Sequence, residues 1–193
     1  MFGLTHNIVE IGHYALVLSL AVAIAQALAP LWGVWKRDTA LMATSAPAAI
    51  MQFALVALSF AALTWAYLSS DFSLANVVQN SHSAKPLVYK ISGVWGNHEG
   101  SMLLWVLILV VFGALVALFS RAMPDDLRAA TLAVQAWVSA AFILFILLTS
   151  NPFARTFPAP MEGQDLNPIL QDPGLADRKS TRLNSSHVAL SRM

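Results

Sequence analysis

The stretch Val94–Ser120, "VWGNHEGSMLLWVLILVVFGALVALFS", decides the fold. From Met102 to Ser120 it carries no charged side chain. Coiled as a helix at about 1.5 Å per residue, those residues cover about 29 Å. That is close to the thickness of about 30 Å of a bilayer's hydrocarbon core. Backbone groups in lipid must bond within their own segment, so the stretch is expected to be a membrane-spanning helix. Just before it stand Asn97, His98 and Glu99. Asn97 is placed to accept from the first free N–H groups, and Glu99 in the first turn suits the helix dipole. Gly96 and Gly100 ease the opening turn.

The rest of the chain repeats the pattern. Further spans are expected at about Ile11–Val34, Pro47–Leu68 and Ala129–Ser150. Hydrophobic residues make up 58% of the 193 and charged ones 11%, with mean hydropathy +0.65. Soluble domains carry about 25% charged residues, so this chain could not coat a globule. The fold class is all-α, a polytopic integral membrane protein of four transmembrane helices. A formal net charge of +1 gives no electrostatic surface for nucleic acid. The absence of cysteine excludes disulfides and thiolate metal sites. Trp32, Trp35, Trp65, Trp95 and Trp105 lie near span ends, as an aromatic belt requires, whereas Trp137 lies deeper and is expected to pack on a neighbouring helix. Lys36, Arg37, Arg121 and Arg128 crowd into two short connections. That density makes those loops cytoplasmic and puts the N-terminus, the long loop 69–101 and the segment after Asn151 outside.

The polar residues admit more than one reading. His98 and Glu99 either open a helix and nothing more, or, with Trp95 and Trp105 nearby, line an outer surface for a flat aromatic ligand. The zinc-protease pattern is not met, because position 102 is Met. Neither a catalytic residue nor a metal site is expected. Glu10 and His13 stand three apart at the outer end of the first span and suit the interface. Gln26, Gln52 and Gln135 lie within spans, where interhelical hydrogen bonds are expected. His6 and His82 look solvated. The proline-rich segment "NPFARTFPAPMEGQDLNPILQDPGL" is expected to be extended or turn-rich.

Four stretches together carry a family resemblance: "VEIGHYALVLSLAVA", "PLWGVWKRD", "VWGNHEGSMLLWVLIL" and "LLTSNPFARTFPAPMEGQDLNPILQDPGL". In this order and spacing the chain resembles haem lyase subunits of the CcmF/NrfE family, over nearly all of residues 1–175. The resemblance implies the bacterial inner membrane, with the outer loop and C-terminal segment periplasmic. It implies a part in attaching haem b to the CxxCH motif of apocytochrome c. The implied partners, besides membrane lipid, are a haem chaperone, apocytochrome c-presenting subunits and apocytochrome c itself; no nucleic acid is implied. Thioether formation needs haem held with its vinyl groups toward two substrate thiols, so a cysteine-free subunit is consistent. On this reading Trp95, His98 and Glu99 contribute to the surface near the haem-transfer region.

The chain also departs from the family pattern. The family's His-Pro-Pro stretch and Trp-rich domain do not follow Leu175, so its haem-ligand histidines are not found here, and His187 in "NSSHVA" is no substitute. Asp177–His187, "DRKSTRLNSSH", reads codon by codon as a common sequencing-library adapter. Residues 176–193 are therefore expected to be an artefact without structure. Residues 1–88 would form a two-span region with the start of the outer loop, and 89–175 the start of the cytochrome c assembly region. The competing class is a non-catalytic membrane scaffold or permease-like subunit. A permease predicts broken or charged helices at mid-membrane, where this chain shows only glutamines.

Overall fold

The computed structural model describes residues 2–120 and 122–164, with side chains from residue 7 onward. The readings of residues 176–193 and of His187 lie outside them. The elements are α1 (Phe2–Lys36), α2 (Thr39–Ala43), α3 (Ser45–Leu68), α4 (Ala75–Asn80), α5 (Leu87–Gly93), α6 (His98–Phe119) and α7 (Asp125–Thr149). Four helices, at Asn7–Lys36, Thr39–Leu68, His98–Phe119 and Asp125–Thr149, are long and apolar enough to cross a membrane. The expected spans are all present. The first begins earlier than its apolar run, because nothing in residues 2–10 breaks a helix.

The four spans close a ring: α1 packs on α3 and α7, and α6 packs on the same two. Each contributes a seam of buried residues alternating three and four apart. On α1 the seam is Val9, Gly12, Leu16, Ser19, Ala23, Gln26, Pro30 and Gly33; on α7 it is Ala129, Leu132, Ala136, Ser139, Ile143 and Ile146. This 3.5-residue spacing belongs to helices that wrap one another with a left-handed twist. Lipid is as apolar as leucine, so association in a membrane rests on close packing, and small residues allow it. Gly12 shows how close: a Cβ there would lie 2.6 Å from the Ala62 Cβ and 2.9 Å from Phe153. Large side chains fill the middle, among them Val56, Leu63, Leu103, Val106 and Val110.

The seams account for the glutamines and for Trp137. Gln26 Nε2 donates to the Leu132 carbonyl at 3.2 Å, and Gln135 donates to the Leu109 carbonyl. Gln52 is buried, and among the described residues its Nε2 has no hydrogen-bond partner, so the pairing expected there is not made within them. Trp137 is 49% exposed and stands off the buried seam of its helix. The seam of α7 runs through Ala136, Ser139 and Ala140, which leaves the indole on the outer side.

One end of the ring carries a cap built from loop 69–97, which holds α4 and α5, and from the segment after α7. The two run together through an isolated antiparallel bridge between Leu74 and Arg155. Ala75 N–H donates to the Ala154 carbonyl at 2.9 Å, Thr156 N–H to Ser73 at 3.0 Å, and Gln164 N–H to Val78 at 2.7 Å. Arg155 also reaches α1, donating to Glu10 Oε1 from Nε at 3.0 Å and from Nη2 at 2.5 Å. Glu10 thus sits at the rim, as expected, with a partner that local spacing did not reveal. Ser83 donates from its N–H at 2.9 Å and its hydroxyl at 3.0 Å to Glu162. The backbone donor chiefly holds that carboxyl below its usual range.

Gly12→Ala is expected to destabilise the bundle by about 1–3 kcal/mol, since α3 and Phe153 must move away. Ala21→Val, on the exposed side of the same helix, is expected to stay within about 0.5 kcal/mol of the parent chain. Equilibrium unfolding in detergent measures both.

Candidate functional site

The site is assembled around the turn that opens α6. Asn97 takes an extended conformation (φ −114°, ψ 170°), and its Oδ1 accepts from Gly100 N–H, which caps the helix as expected. That bond is 2.7 Å long. Gly100 is required by space more than by flexibility: a Cβ there would collide with the Val94 carbonyl oxygen. Ser101 Oγ donates to the Trp95 carbonyl at 2.6 Å and holds the strand of chain leading into the helix.

The same Asn97 side chain is the centre of a polar cluster that ties α3, α4 and α5 to the start of α6. Its Nδ2 donates to Tyr67 Oη on α3 at 2.9 Å and to the Gly93 carbonyl at the end of α5 at 2.9 Å. Tyr67 Oη donates to Asn76 Oδ1 on α4 at 2.5 Å. Asn76 Nδ2 in turn donates to Asn97 Oδ1 at 3.0 Å and to Glu99 Oε2 at 3.1 Å. Tyr67 is fully buried and Asn76 nearly so. Buried polar groups are costly unless paired, so a cluster this connected fixes its members.

The three residues singled out from the sequence part company here. Trp95 is half-buried and packs against the apolar core. Glu99 is half-buried and turned to Asn76. His98 is exposed. It lines a cavity of about 380 Å³ with Ser101, Met102, Trp105 and Phe142, and neither Trp95 nor Glu99 lines it. Trp105 and Phe142 also wall an apolar groove of about 330 Å³ that runs on between α6 and α7 past Ile108 and Phe112. The arrangement offers one imidazole in a cavity that shares its Trp105 and Phe142 walls with the neighbouring apolar groove. Among the described residues no group of three or more His, Cys, Asp or Glu side chains could hold a metal ion. His13 is removed from the groove; its ring lies 6.0 Å from that of Phe153. His82 is part-exposed, 3.9 Å from Glu162.

Sequence reasoning missed Tyr67, Asn76 and Phe142. An asparagine in a loop and a tyrosine at a span end carry no local mark of each other; a hydrogen-bonding side chain buried at a helix end was the available hint.

Residues 95–176 match the family model described as cytochrome c assembly protein. The cytochrome c-type biogenesis protein CycK of Rhizobium meliloti (strain 1021) is 65% identical over 169 residues, covering 88% of this chain and 25% of that protein. CcmF of Escherichia coli (strain K12), also named a cytochrome c-type biogenesis protein, is 47% identical over 167 residues, covering 86% and 26%. The solved structure of the cytochrome c haem lyase CcmF superposes with a TM-score of 0.72 at 25% identity, covering 76% of this chain and 24% of that one. The chain thus spans about a quarter of the length of the relatives it matches.

Removing the centre of the cluster tests the geometry. Asn97→Ala is expected to cost about 2–4 kcal/mol, from the lost cap and from the hydrogen bonds that buried Tyr67 and Asn76 each lose to it. Tyr67→Phe is expected to cost about 1–3 kcal/mol. Thermal unfolding in detergent, followed by circular dichroism, reads both.

Proposed function

This chain belongs, over the quarter of their length that it spans, to the family of cytochrome c-type biogenesis proteins that includes CcmF, CycK and NrfE, and on that premise we propose that its capped end helps present haem b for covalent attachment to apocytochrome c. The observation that carries the reading is His98, exposed at the head of a groove walled by Trp105 and Phe142. A flat, largely apolar macrocycle suits aromatic walls, and an imidazole suits its iron or its edge. The cavity at the opening turn offers a single imidazole among its described lining residues, which is half of an axial pair. We therefore assign these residues to contact with haem held by the whole protein, and assign no complete iron ligation to them. When bound, haem supplies the vinyl groups to which the substrate's thiols add. The part of this chain is to orient: Asn97, Tyr67 and Asn76 hold the turn, His98 and Trp105 meet the ligand, and Trp95 and Glu99 support the turn from the core side.

The same reading extends to place and partners. We propose the bacterial inner membrane, with the cap on the periplasmic side. Support comes from Lys36 and Arg37 at the opposite end, while Arg155 in the cap is paired with Glu10. A haem chaperone, apocytochrome c-presenting subunits and apocytochrome c are the partners this reading requires. We also propose a division of the chain near residue 88, with a two-span region before it and the start of the assembly region after it. Residue 88 falls inside α5, so both parts share the cap.

The test is His98→Ala in a full-length relative, with holocytochrome c yield and haem content as readouts. Loss of one contact of about 1.4 kcal/mol corresponds to a fall of about tenfold. Unchanged yield and haem content would leave His98 as the first residue of a capped helix and favour a scaffold role.

A further inference from the structure

α5 carries an apolar side that none of the described residues covers. Leu87 and Val88 are each 63% exposed and Ile91 is 36% exposed. At 100° per residue these three fall within one narrow arc of the helix, and Tyr89, Lys90 and Gly93 fall on the opposite side. That opposite side is held to α3. Lys90 Nζ donates to Ser70 Oγ at 2.7 Å, and a Cβ on Gly93 would stand 3.4 Å from the ring of Tyr67. Past Gly93 the chain turns at once into the core through Val94, which is fully buried, and α6 starts at His98.

Both attachments of α5 are therefore span ends: the last turn of α3, which closes at Leu68, and the first turn of α6. The helix is fixed at the depth where the spans leave the hydrocarbon, with its aliphatic residues pointing away from the bundle. At that depth the exposed surface of the spans is already apolar, with Trp65 on α3 49% exposed and Leu148 in the last turn of α7 75% exposed. The apolar arc of α5 continues this lipid-facing belt. We propose that α5 lies in the headgroup–acyl boundary of the bilayer, with Leu87, Val88 and Ile91 immersed among lipid chains. Interfacial helices bind in this manner, apolar side down, with long cationic side chains kept to the polar side. The consequence is mechanical: α5 moors loop 69–97, and with it Asn76 and the opening turn of α6, to the membrane surface. The placement is independent of any haem reading.

The chain lacks cysteine, so single-cysteine probes are unambiguous. Leu87→Cys and Val88→Cys would each carry an environment-sensitive fluorophore in the full chain, reconstituted in phosphatidylcholine–phosphatidylglycerol vesicles. Met161→Cys, at a position 99% exposed on the cap, and Phe112→Cys, at a position 62% exposed within α6, serve as references. Quenching is compared for aqueous iodide and for lipids bearing a nitroxide near the headgroup or deep in the acyl chain. The expected result is that the shallow nitroxide quenches both α5 probes at least about twofold more than the Met161 probe, and iodide quenches them correspondingly less. The deep nitroxide should quench Phe112 most, which verifies insertion of the bundle. Iodide access at residues 87 and 88 equal to that at 161 would overturn the proposal in favour of a solvated helix. Shielding from both quenchers would overturn it in favour of a protein contact.

Discussion

The capped end depends on one amide side chain. Asn97 closes the first turn of α6 with its oxygen and grips α3 and the end of α5 with its nitrogen. An amide can do this because it offers an acceptor and two donors in one plane, and here both functions are engaged. Because Tyr67 and Asn76 are buried and find their partners in each other, in Asn97 and in Glu99, the cluster holds its members in place. Its effect is directional. With Asn97 turned inward and Glu99 held by Asn76, the residue between them points out. The exposure of His98 is thus a consequence of what its two neighbours are doing.

Beneath the cap, the bundle is held by a different kind of force. Water does not drive helices together inside lipid, so the spans rely on fit. Gly12, Ala23, Ala62, Ala133, Ala136 and Ser139 let backbones approach, and Gln26 and Gln135 add hydrogen bonds to carbonyls of the facing helix. The cap adds tethers made at some distance from any span centre, chiefly the Arg155–Glu10 pair and the short bridge beside it. These link the segment after α7 to α1 and the long loop, so the ring is closed at the capped end by chain as well as by packing.

How much of this was legible in the sequence follows from which signals are local. The four spans were, because an uncharged apolar run of that length fits little besides a helix crossing a bilayer. The role of Asn97 was, because a helix cap is read within four residues. The seams were not: a spanning helix is apolar all round, so its packed side and its lipid side look alike, and the place of Trp137 off the seam is not marked by its neighbours in sequence. The fate of Gln52 was not, because a polar residue in a span promises a partner without naming it. The cluster was hidden for a plainer reason. Tyr67, Asn76 and Asn97 are brought together by a loop whose two helices, of six and seven residues, are too short to announce themselves, and Glu10 meets Arg155 across 145 residues. His98, Trp95 and Glu99 stand as a set in the sequence, and the structure separates them into one outward residue and two supporting ones.

A rigid polar cluster fixes the opening turn of α6 and sets His98 outward. Hydrogen exchange of the Gly100 backbone amide, measured on the full chain in lipid nanodiscs, tests it most directly. Bonded to Asn97 Oδ1, that amide should exchange as slowly as amides in the middle of α6, and Asn97→Ala should release it. Exchange at the rate of an open loop amide in the unsubstituted chain would mean that the turn is not held, and the account of the site would fail.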